Sequence, residues 1–204
     1  MSIKRYILMI LIKVPILKVM VATRRSQTPV RFRHLLQYVT KSKVYWPVHH
    51  SSLISSPEKI VVGIDVSPGY MPGCYIQGGG GIVIGDYTQI SCNVGLISKN
   101  HDVYDISKHI DTDFPSIKIG NYCWVGMNVT ILPGVHIPDY CVIGAGSVVT
   151  KSISEKGSVV VGNPANVIKV LDIERIKDFK SETEYVGFIP RASFNKYKSR
   201  VLKL

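Results

Sequence analysis

The chain has 204 residues, enough for one sizeable domain with extensions, and its 46% hydrophobic content excludes a disordered protein. Only 19% of the residues are charged, and 17 glycines and 11 prolines favour many short strands and turns over a helical bundle. The net charge of +11 is concentrated at the N-terminus, because residues 1–43 contain ten Lys and Arg and no Asp or Glu.

Residues 1–50 are predicted to form a basic, helical N-terminal arm. Its apolar run Tyr6–Ile12 comes after two basic residues, as in a signal peptide, but Lys13 and Lys18 interrupt the apolar sequence and no small-residue cleavage site appears. The run is also too short and too charged to span a bilayer. Two interpretations stay open: residues 1–43 lie on an anionic membrane surface, or the arm packs on the main domain or a partner subunit. We expect a cytoplasmic protein, with contact to the inner face of the membrane left open.

The four cysteines do not form a C-x-x-C pair, which argues against a zinc site, and nothing in their spacing demands disulfides. They are Cys74, Cys92, Cys123 and Cys141. We expect small buried thiols at Cys123 and Cys141, which suit a reducing cytosol.

A six-residue repeat runs through the middle of the chain. Every sixth residue from position 119 is a β-branched aliphatic: Ile119, Val125, Ile131, Ile137, Ile143 and Val149. The same step continues upstream from Ile54 to Leu96 but is broken around Pro72–Gly81. A period of six fits neither a helix nor a plain strand, and it predicts short strands joined by tight corners, with one aliphatic per repeat pointing into a solenoid. A chance pattern in a β-sandwich is the alternative.

The two blocks of the repeat are out of phase, because Leu96 and Ile119 are separated by a number of residues that six does not divide. We therefore predict that Lys99–Ser116 is a loop inserted into the solenoid. It contains His101, His109 and four Asp residues. A polar loop that leaves a rigid scaffold is a common place for function.

Three motifs in this order resemble the hexapeptide-repeat acyltransferase family: Ile119–Val135, Val142–Lys151 and Gly162–Ala165. The resemblance covers roughly residues 54–170. It is strongest to the branch that contains galactoside, maltose, nodulation-factor and capsule or lipopolysaccharide O-acetyltransferases. It implies an all-β solenoid, a left-handed parallel β-helix with three hexads per turn, and a homotrimer with active sites between subunits. The predicted units are the arm, a β-helix domain over 51–170 with its inserted loop 99–116, and a C-terminal segment over 171–204. In this last segment the spacing predicts a short helix over 173–179 that caps the open end of the solenoid, followed by a basic tail.

The family's catalytic base is a histidine that opens the inserted loop, and His101 matches that place. A histidine suits the task because its pKa lies near neutrality. Asp102 and Asp105 could orient its ring, although loop carboxylates are usually only solvated. We expect His109 to be loop surface and the oxyanion to be stabilised by backbone N–H groups.

Matching positions to the galactoside-type enzymes implies a binding groove for acetyl-CoA. The residues assigned to it are Trp124, Gly126, Met127, Gly144, Ala145, Thr150, Lys151 and Lys169. Trp124 should point outward because it precedes an inward aliphatic, and it could alternatively serve trimer packing. The two lysines are candidates for the CoA phosphates. Asn166 departs from the family pattern, in which a basic residue is common. Gln77 and Gly79 match the region where the family binds its acceptor, although the glycine run could be only a flexible corner.

The resemblance implies an acetyl-CoA-dependent O-acetyltransferase that acts on a hydroxyl of a sugar or glycan of the capsule or lipopolysaccharide type. A small-molecule acceptor such as an antibiotic or amino sugar is the alternative within the class, and a non-catalytic β-helix for binding or scaffolding is the alternative outside it. A γ-type carbonic anhydrase shares the solenoid, but the six histidines lack its His-x4-His spacing, so we expect no metal. We expect no nucleic-acid partner, since the arm carries no known nucleic-acid-recognition motif.

Overall fold

A computed structural model describes residues 14–40, 43–105 and 116–203 of the chain. Its helices are α1 (Pro15–Ala22), α2 (Leu35–Val39) and α3 (Arg191–Val201), with 3₁₀ turns at Phe32–His34, Pro57–Lys59 and Ile173–Arg175. Its strands are β1 (Leu53–Ser55), β2 (Ile60–Val62), β3 (Tyr75–Gln77), β4 (Ile82–Ile84), β5 (Gln89–Ile90), β6 (Gly95–Ile97), β7 (Ile117–Ile119), β8 (Trp124–Val125), β9 (Thr130–Ile131), β10 (His136–Ile137), β11 (Val142–Ile143), β12 (Val148–Val149), β13 (Ser158–Gly162), β14 (Ala165–Val170), β15 (Tyr185–Val186) and β16 (Ile189–Pro190).

Three sheets form the faces of the solenoid. Sheet A has the order β1-β3-β6-β9-β12, sheet B has the order β2-β4-β7-β10, and sheet C has the order β5-β8-β11-β13-β14. Every neighbouring pair in these sheets is parallel except β13 with β14, which forms an antiparallel hairpin. From β4 to β12 the chain visits B, C and A in turn, with one short strand on each face, and β13 and β14 then both belong to sheet C. This confirms the predicted parallel β-helix.

The six-residue repeat defines the interior of the solenoid. Partners on adjacent coils lie 18 positions apart, as in Ile119 with Ile137, so one coil consists of three hexads. All six inward aliphatics from Ile119 to Val149 are buried, at 3% exposure or less. The residue four positions after each is buried as well, and Cys123 and Cys141 belong to this second set. Burial raises the pKa of the Cys123 thiol to about 12, so it stays protonated at neutral pH.

The predicted insertion appears as a longer coil. Ile84 pairs with Ile119 and Leu96 with Ile131, which are 35 positions apart instead of 18. The difference of 17 positions corresponds to the loop between β6 and β7. Residues 106–115, which include His109, lie outside the described residues.

The upstream break in the repeat has a structural cause. Pro72 is exposed in a turn, and Ile76 takes the inward place, where it pairs with Ile54 on one side and Leu96 on the other. The segment from Ser67 to Gly73 is a turn that contributes no strand to sheet C. The six-residue repeat is therefore interrupted here because the first coils are longer than three hexads.

The arm packs on the body of the protein over its described residues. Ile16, Val19 and Val30 form a small apolar cluster against Tyr185 and Phe188 of the C-terminal segment. This matches the second interpretation of the arm for residues 14–40. Among the described residues, no helix has both the length and the hydrophobicity that crossing a membrane requires.

Asp65 joins the arm, the β-helix and the C-terminal segment. Its carboxylate accepts hydrogen bonds from the backbone N–H groups of Gln27 (2.7 Å) and Thr28 (3.0 Å) and from the hydroxyl of Ser181 (2.9 Å). The side chain is 5% exposed. Because a buried carboxylate needs such partners, the three segments are held in one arrangement at this point.

The C-terminal segment runs back along the corner between sheets B and C. Tyr87, Tyr122 and Tyr140 stack there on successive coils, with ring centroids 5.2 and 5.5 Å apart. The tail crosses this stack, since the carbonyl of Phe179 accepts a hydrogen bond from the Tyr122 hydroxyl. The region 173–179, which the sequence predicts as a helix, contains only a 3₁₀ turn at its start.

Helix α3 covers the first coil instead of the last. Phe194 is buried, and its ring lies 5.7 Å from that of Tyr45, whose hydroxyl donates to the carbonyl of Ile60. The backbone N–H of Lys203 donates to the carbonyl of Glu58. A C-terminal capping helix is therefore present, but it lies at 191–201, in the segment predicted as a basic tail, and not at 173–179. It covers the end of the solenoid opposite to the coil that precedes it in sequence.

Close stacking of the coils gives a testable prediction at Gly120. A Cβ added there would lie 2.4 Å from Oδ1 and 2.5 Å from the backbone nitrogen of Asp139, so the coil would have to shift. We expect Gly120→Ala to lower Tm by about 5 °C or more in thermal unfolding followed by circular dichroism. Gly95→Ala is the matched control, since its Cβ would have no neighbour nearer than 3.6 Å. Equal melting of both variants would contradict this account.

Candidate active site

The root of the inserted loop is anchored at the corner between sheets A and B. Ser98 is fully buried, and its hydroxyl donates to the carbonyl of Gln77 and accepts from the backbone N–H of Gly80 (2.9 Å). The side chain of Gln77 accepts from the backbone N–H of Lys99 (2.8 Å). The residues that lead into the loop are therefore held on the coil beneath them, so the position of the loop root is fixed.

His101 is exposed two residues beyond this anchor. Asp102, one of the two carboxylates expected near it, serves the backbone of the loop. Its Oδ1 accepts from the N–H groups of Tyr104 (2.8 Å) and Asp105 (3.2 Å), which is an Asx-type turn. Asp105 is half-buried. The turn gives Asp102 a structural role that the sequence did not indicate.

A polar cleft of about 390 Å³ lies along the same corner. It is lined by Ser55, Ser56, Lys59, Tyr75, Gln77, Gly79 and Lys99. The Lys59 ammonium donates to the carbonyl of Gly79 at 3.0 Å. The cleft thus brings together Gln77 and Gly79, which the sequence singled out, with residues of the first coil, which it missed. No local pattern marks those residues, because only the coiling brings them next to Gly79.

Trp124 and Met127 are exposed on the other side of the solenoid, at sheet C and the corner between sheets C and A. Trp124 is 56% exposed and Met127 is 44% exposed. Alternation in β8 points Val125 inward and Trp124 outward, as predicted. Gly126 and Gly144 occupy equivalent corners on adjacent coils, and Ala145 is exposed beside them. A Cβ on Gly126 would lie 2.8 Å from the backbone nitrogen of Ala145, so only glycine allows these coils to stack so closely.

The remaining candidates lie on other parts of the surface. Thr150 and Lys151 are exposed directly after β12, at the corner between sheets A and B, two coils beyond the loop root. Lys169 is exposed on β14. Within one chain the predicted residues therefore form two groups. His101 lies at the corner between sheets A and B, together with Gln77, Gly79, Thr150 and Lys151. Trp124 belongs to the other group, on sheet C and its corner with sheet A.

A second cleft, of about 340 Å³, adjoins Trp124 and is partly built by the arm. Its lining residues are Gln27, Thr28, Ser67, Tyr70, Met71, Thr88, Gln89, Ile90, Ser91 and Trp124. The guanidinium of Arg33 lies 5.0 Å from the centre of the Tyr70 ring, and the His34 ring lies 5.4 Å away. Burial, helped by Arg33 and Arg31, lowers the pKa of His34 to about 4, so this histidine beside Tyr70 is neutral at pH 7. The sequence did not indicate that the arm reaches this surface.

Comparisons with known proteins find their similarity in the same part of the chain, the six-residue repeat. The family model described as bacterial transferase hexapeptide (six repeats) matches residues 116–151. The galactoside O-acetyltransferase of Escherichia coli (strain K12) is 40% identical over 107 residues, which are 50% of this chain and 52% of that protein. This chain spans about half the length of the curated relatives it matches.

Two solved structures extend the similarity beyond the repeat. A maltose O-acetyltransferase from Clostridium difficile 630 has a TM-score of 0.57 and 27% identity, over 80% of this chain and 89% of that chain. A galactoside acetyltransferase in complex with coenzyme A has a TM-score of 0.54 and 31% identity, over 68% of this chain and 70% of that chain. The fold is the left-handed parallel β-helix implied by the sequence motifs. From its repeat, its inserted loop and these similarities, the chain belongs to the hexapeptide-repeat transferase family.

Proposed function

We propose that the protein transfers an acetyl group from acetyl-CoA to a hydroxyl of a sugar or glycan. The observation that carries this proposal is His101, exposed at the anchored root of the inserted loop and next to a polar cleft. The names of the similar proteins support it, since two are galactoside or maltose O-acetyltransferases and one was solved with coenzyme A. A capsule or lipopolysaccharide glycan is the acceptor type that we favour.

In the proposed reaction His101 acts as the general base. It takes the proton of the acceptor hydroxyl while the oxygen attacks the thioester carbon of acetyl-CoA. The tetrahedral intermediate then collapses, the C–S bond breaks, and CoA leaves as a thiol that recovers the proton from the imidazolium. Backbone N–H groups near the loop would stabilise the oxyanion. Asp102 and Asp105 are the two candidates to orient His101, and Asp102 also accepts two backbone hydrogen bonds in its turn.

The donor would bind along the groove that starts at Trp124. The exposed Trp124 and Met127 would contact the acetyl and pantetheine parts, next to the backbone of Gly126, Gly144 and Ala145. Thr150 and Lys151 lie on the corner of the loop root, so they would reach this donor from a neighbouring copy of the chain. Lys151 and Lys169 would meet the phosphates.

We propose that the active site forms between copies of the chain in a homotrimer. His101 and Trp124 lie on different corners of one solenoid, so a neighbouring copy is needed to bring the two groups together. A closed cyclic assembly with the same contact repeated three times satisfies this requirement.

The role of His101 is tested by His101→Ala. Loss of the general base should lower kcat about 100-fold or more, measured as thiol release from acetyl-CoA with a panel of glycans and small hydroxyl compounds. His136→Ala is the matched control, because His136 is an exposed histidine on sheet B. Normal turnover by the His101 variant would remove it from the mechanism. Absence of thiol release with every acceptor would count against the activity itself.

The donor groove is tested by Trp124→Ala. We expect KM for acetyl-CoA to rise about fivefold, since an aromatic contact of this kind contributes on the order of 1 kcal/mol. Phe32→Ala, which removes an exposed aromatic of the arm, should leave this KM unchanged. If Trp124→Ala instead dissociates the oligomer in sedimentation and leaves KM intact, the residue serves subunit packing.

The arm also supports a proposal of peripheral contact with an anionic membrane. Phe32, Leu36 and Val39 are 64–73% exposed, and their spacing of four and three residues places them on one face of the helical segment 32–39. Arg31, Arg33 and Lys43, all exposed, flank this face, and the first acidic residue of the chain is Glu58. Apolar side chains ringed by cations match the surface of an anionic bilayer.

Vesicle flotation tests this contact with the full chain. We expect binding to vesicles that contain an anionic phospholipid, loss of binding at high salt, and weak binding to purely zwitterionic vesicles. Replacing Phe32, Leu36 and Val39 together by Ser should abolish flotation, whereas Val167→Ser with Ile168→Ser, two exposed residues of β14, should not. Equal flotation of the arm variant and the wild type would contradict the proposal.

A further inference from the structure

We propose that the cleft beside the loop root selects an acceptor that carries a negative charge, such as the carboxylate of a uronic acid. This inference rests on the proposed acetyl transfer and names the acceptor class. We assign the recognition to Lys59 and Lys99, which line the cleft from opposite sides.

The two lysine side chains converge on one residue of the cleft. Lys59 ends the 3₁₀ turn between β1 and β2, and its ammonium donates to the carbonyl of Gly79 at 3.0 Å. Lys99 lies just after β6, and its Cδ is 3.4 Å from the place that a Cβ on Gly79 would occupy. Since β1, β3 and β6 are neighbours in sheet A, Gly79 lies on the middle rung between the two lysines. Both cations therefore border the same small space.

The cleft is chemically suited to an anion. Its described lining consists of two lysines, hydroxyls from Ser55, Ser56 and Tyr75, the amide of Gln77 and the backbone of Gly79, with no carboxylate among them. Glu58, next to Lys59 in sequence, does not line it. An ionised carboxylate can accept hydrogen bonds from ammonium groups and hydroxyls together, whereas a neutral sugar offers no charge for the cations to balance.

The position of the cleft points to the acceptor as the source of that charge. His101 is two residues beyond Lys99, so their Cα atoms are at most about 7.5 Å apart. A sugar whose carboxylate meets the lysines would thus hold a ring hydroxyl near His101. The phosphates of acetyl-CoA are the other source of negative charge, but the pantetheine arm separates them from the thioester that must also reach His101.

The test uses the full-length protein, acetyl-CoA and two acceptors that differ at one group, methyl β-D-glucuronide and methyl β-D-glucoside. We expect kcat/KM to be about tenfold or more higher for the glucuronide. Lys59→Gln should raise KM for the glucuronide about tenfold and KM for the glucoside much less, and Lys59→Arg should restore most of the loss. Lys118→Gln, at an exposed lysine of sheet B, is the matched control.

The possible outcomes distinguish a failure of the charge selectivity from a failure of the proposed acetyl transfer. Equal use of both acceptors, or no effect of Lys59→Gln, overturns the charge selectivity while acetyl transfer stands. A rise in KM for acetyl-CoA that disappears with acetyl-dephospho-CoA assigns the lysines to the donor and also overturns it. If neither acceptor is acetylated, calorimetric binding of methyl β-D-glucuronide to wild type and Lys59→Gln still decides the inference. Binding that Lys59→Gln weakens supports the anion site, and undetectable binding to the wild type overturns it.

Discussion

The structure depends on the stacking of one coil on the next. Inward aliphatics such as Ile119 and Ile137 lie directly over one another in the parallel ladder, and each coil covers the apolar interior of its neighbour. No single coil can bury its own interior, so stability accumulates along the solenoid. The close approach at the corners results from the same stacking, and it explains why a glycine is required at a position such as Gly120.

This stacking also determines what the corners can carry. A corner residue has no space inward, so insertions and functional side chains project outward from a rigid base. The loop between β6 and β7 leaves the solenoid at such a corner, where Ser98 and Gln77 tie it to the coil below. A loop whose root is held in this way starts from a fixed position, so the side chains near its root lose little freedom when a ligand binds.

The N-terminal and C-terminal segments turn the solenoid into a specific surface. Asp65 connects the arm, the first coils and the tail through buried hydrogen bonds, and the tail crosses the tyrosine stack before α3 covers the first coil. The arm then forms one wall of the cleft next to Trp124, with Arg33 and His34 against Tyr70. The two proposed functional corners thus differ in character: one is polar and cationic, and the other is aromatic and partly covered by the arm.

The sequence by itself determined the parallel β-helix, the inserted loop and the outward direction of Trp124. These features arise from a period of six residues and from strand alternation, which are local properties of the chain. The sequence shows that the six-residue repeat breaks at Pro72, but it does not show that Ile76 takes the inward position instead. The length of the first coils is decided by packing. Only the tertiary structure decided that Lys59 and Lys99, distant in sequence, meet over Gly79, and that α3 covers the first coil. Contacts between distant coils depend on how many residues each coil contains, and the repeat does not encode that number where it is interrupted.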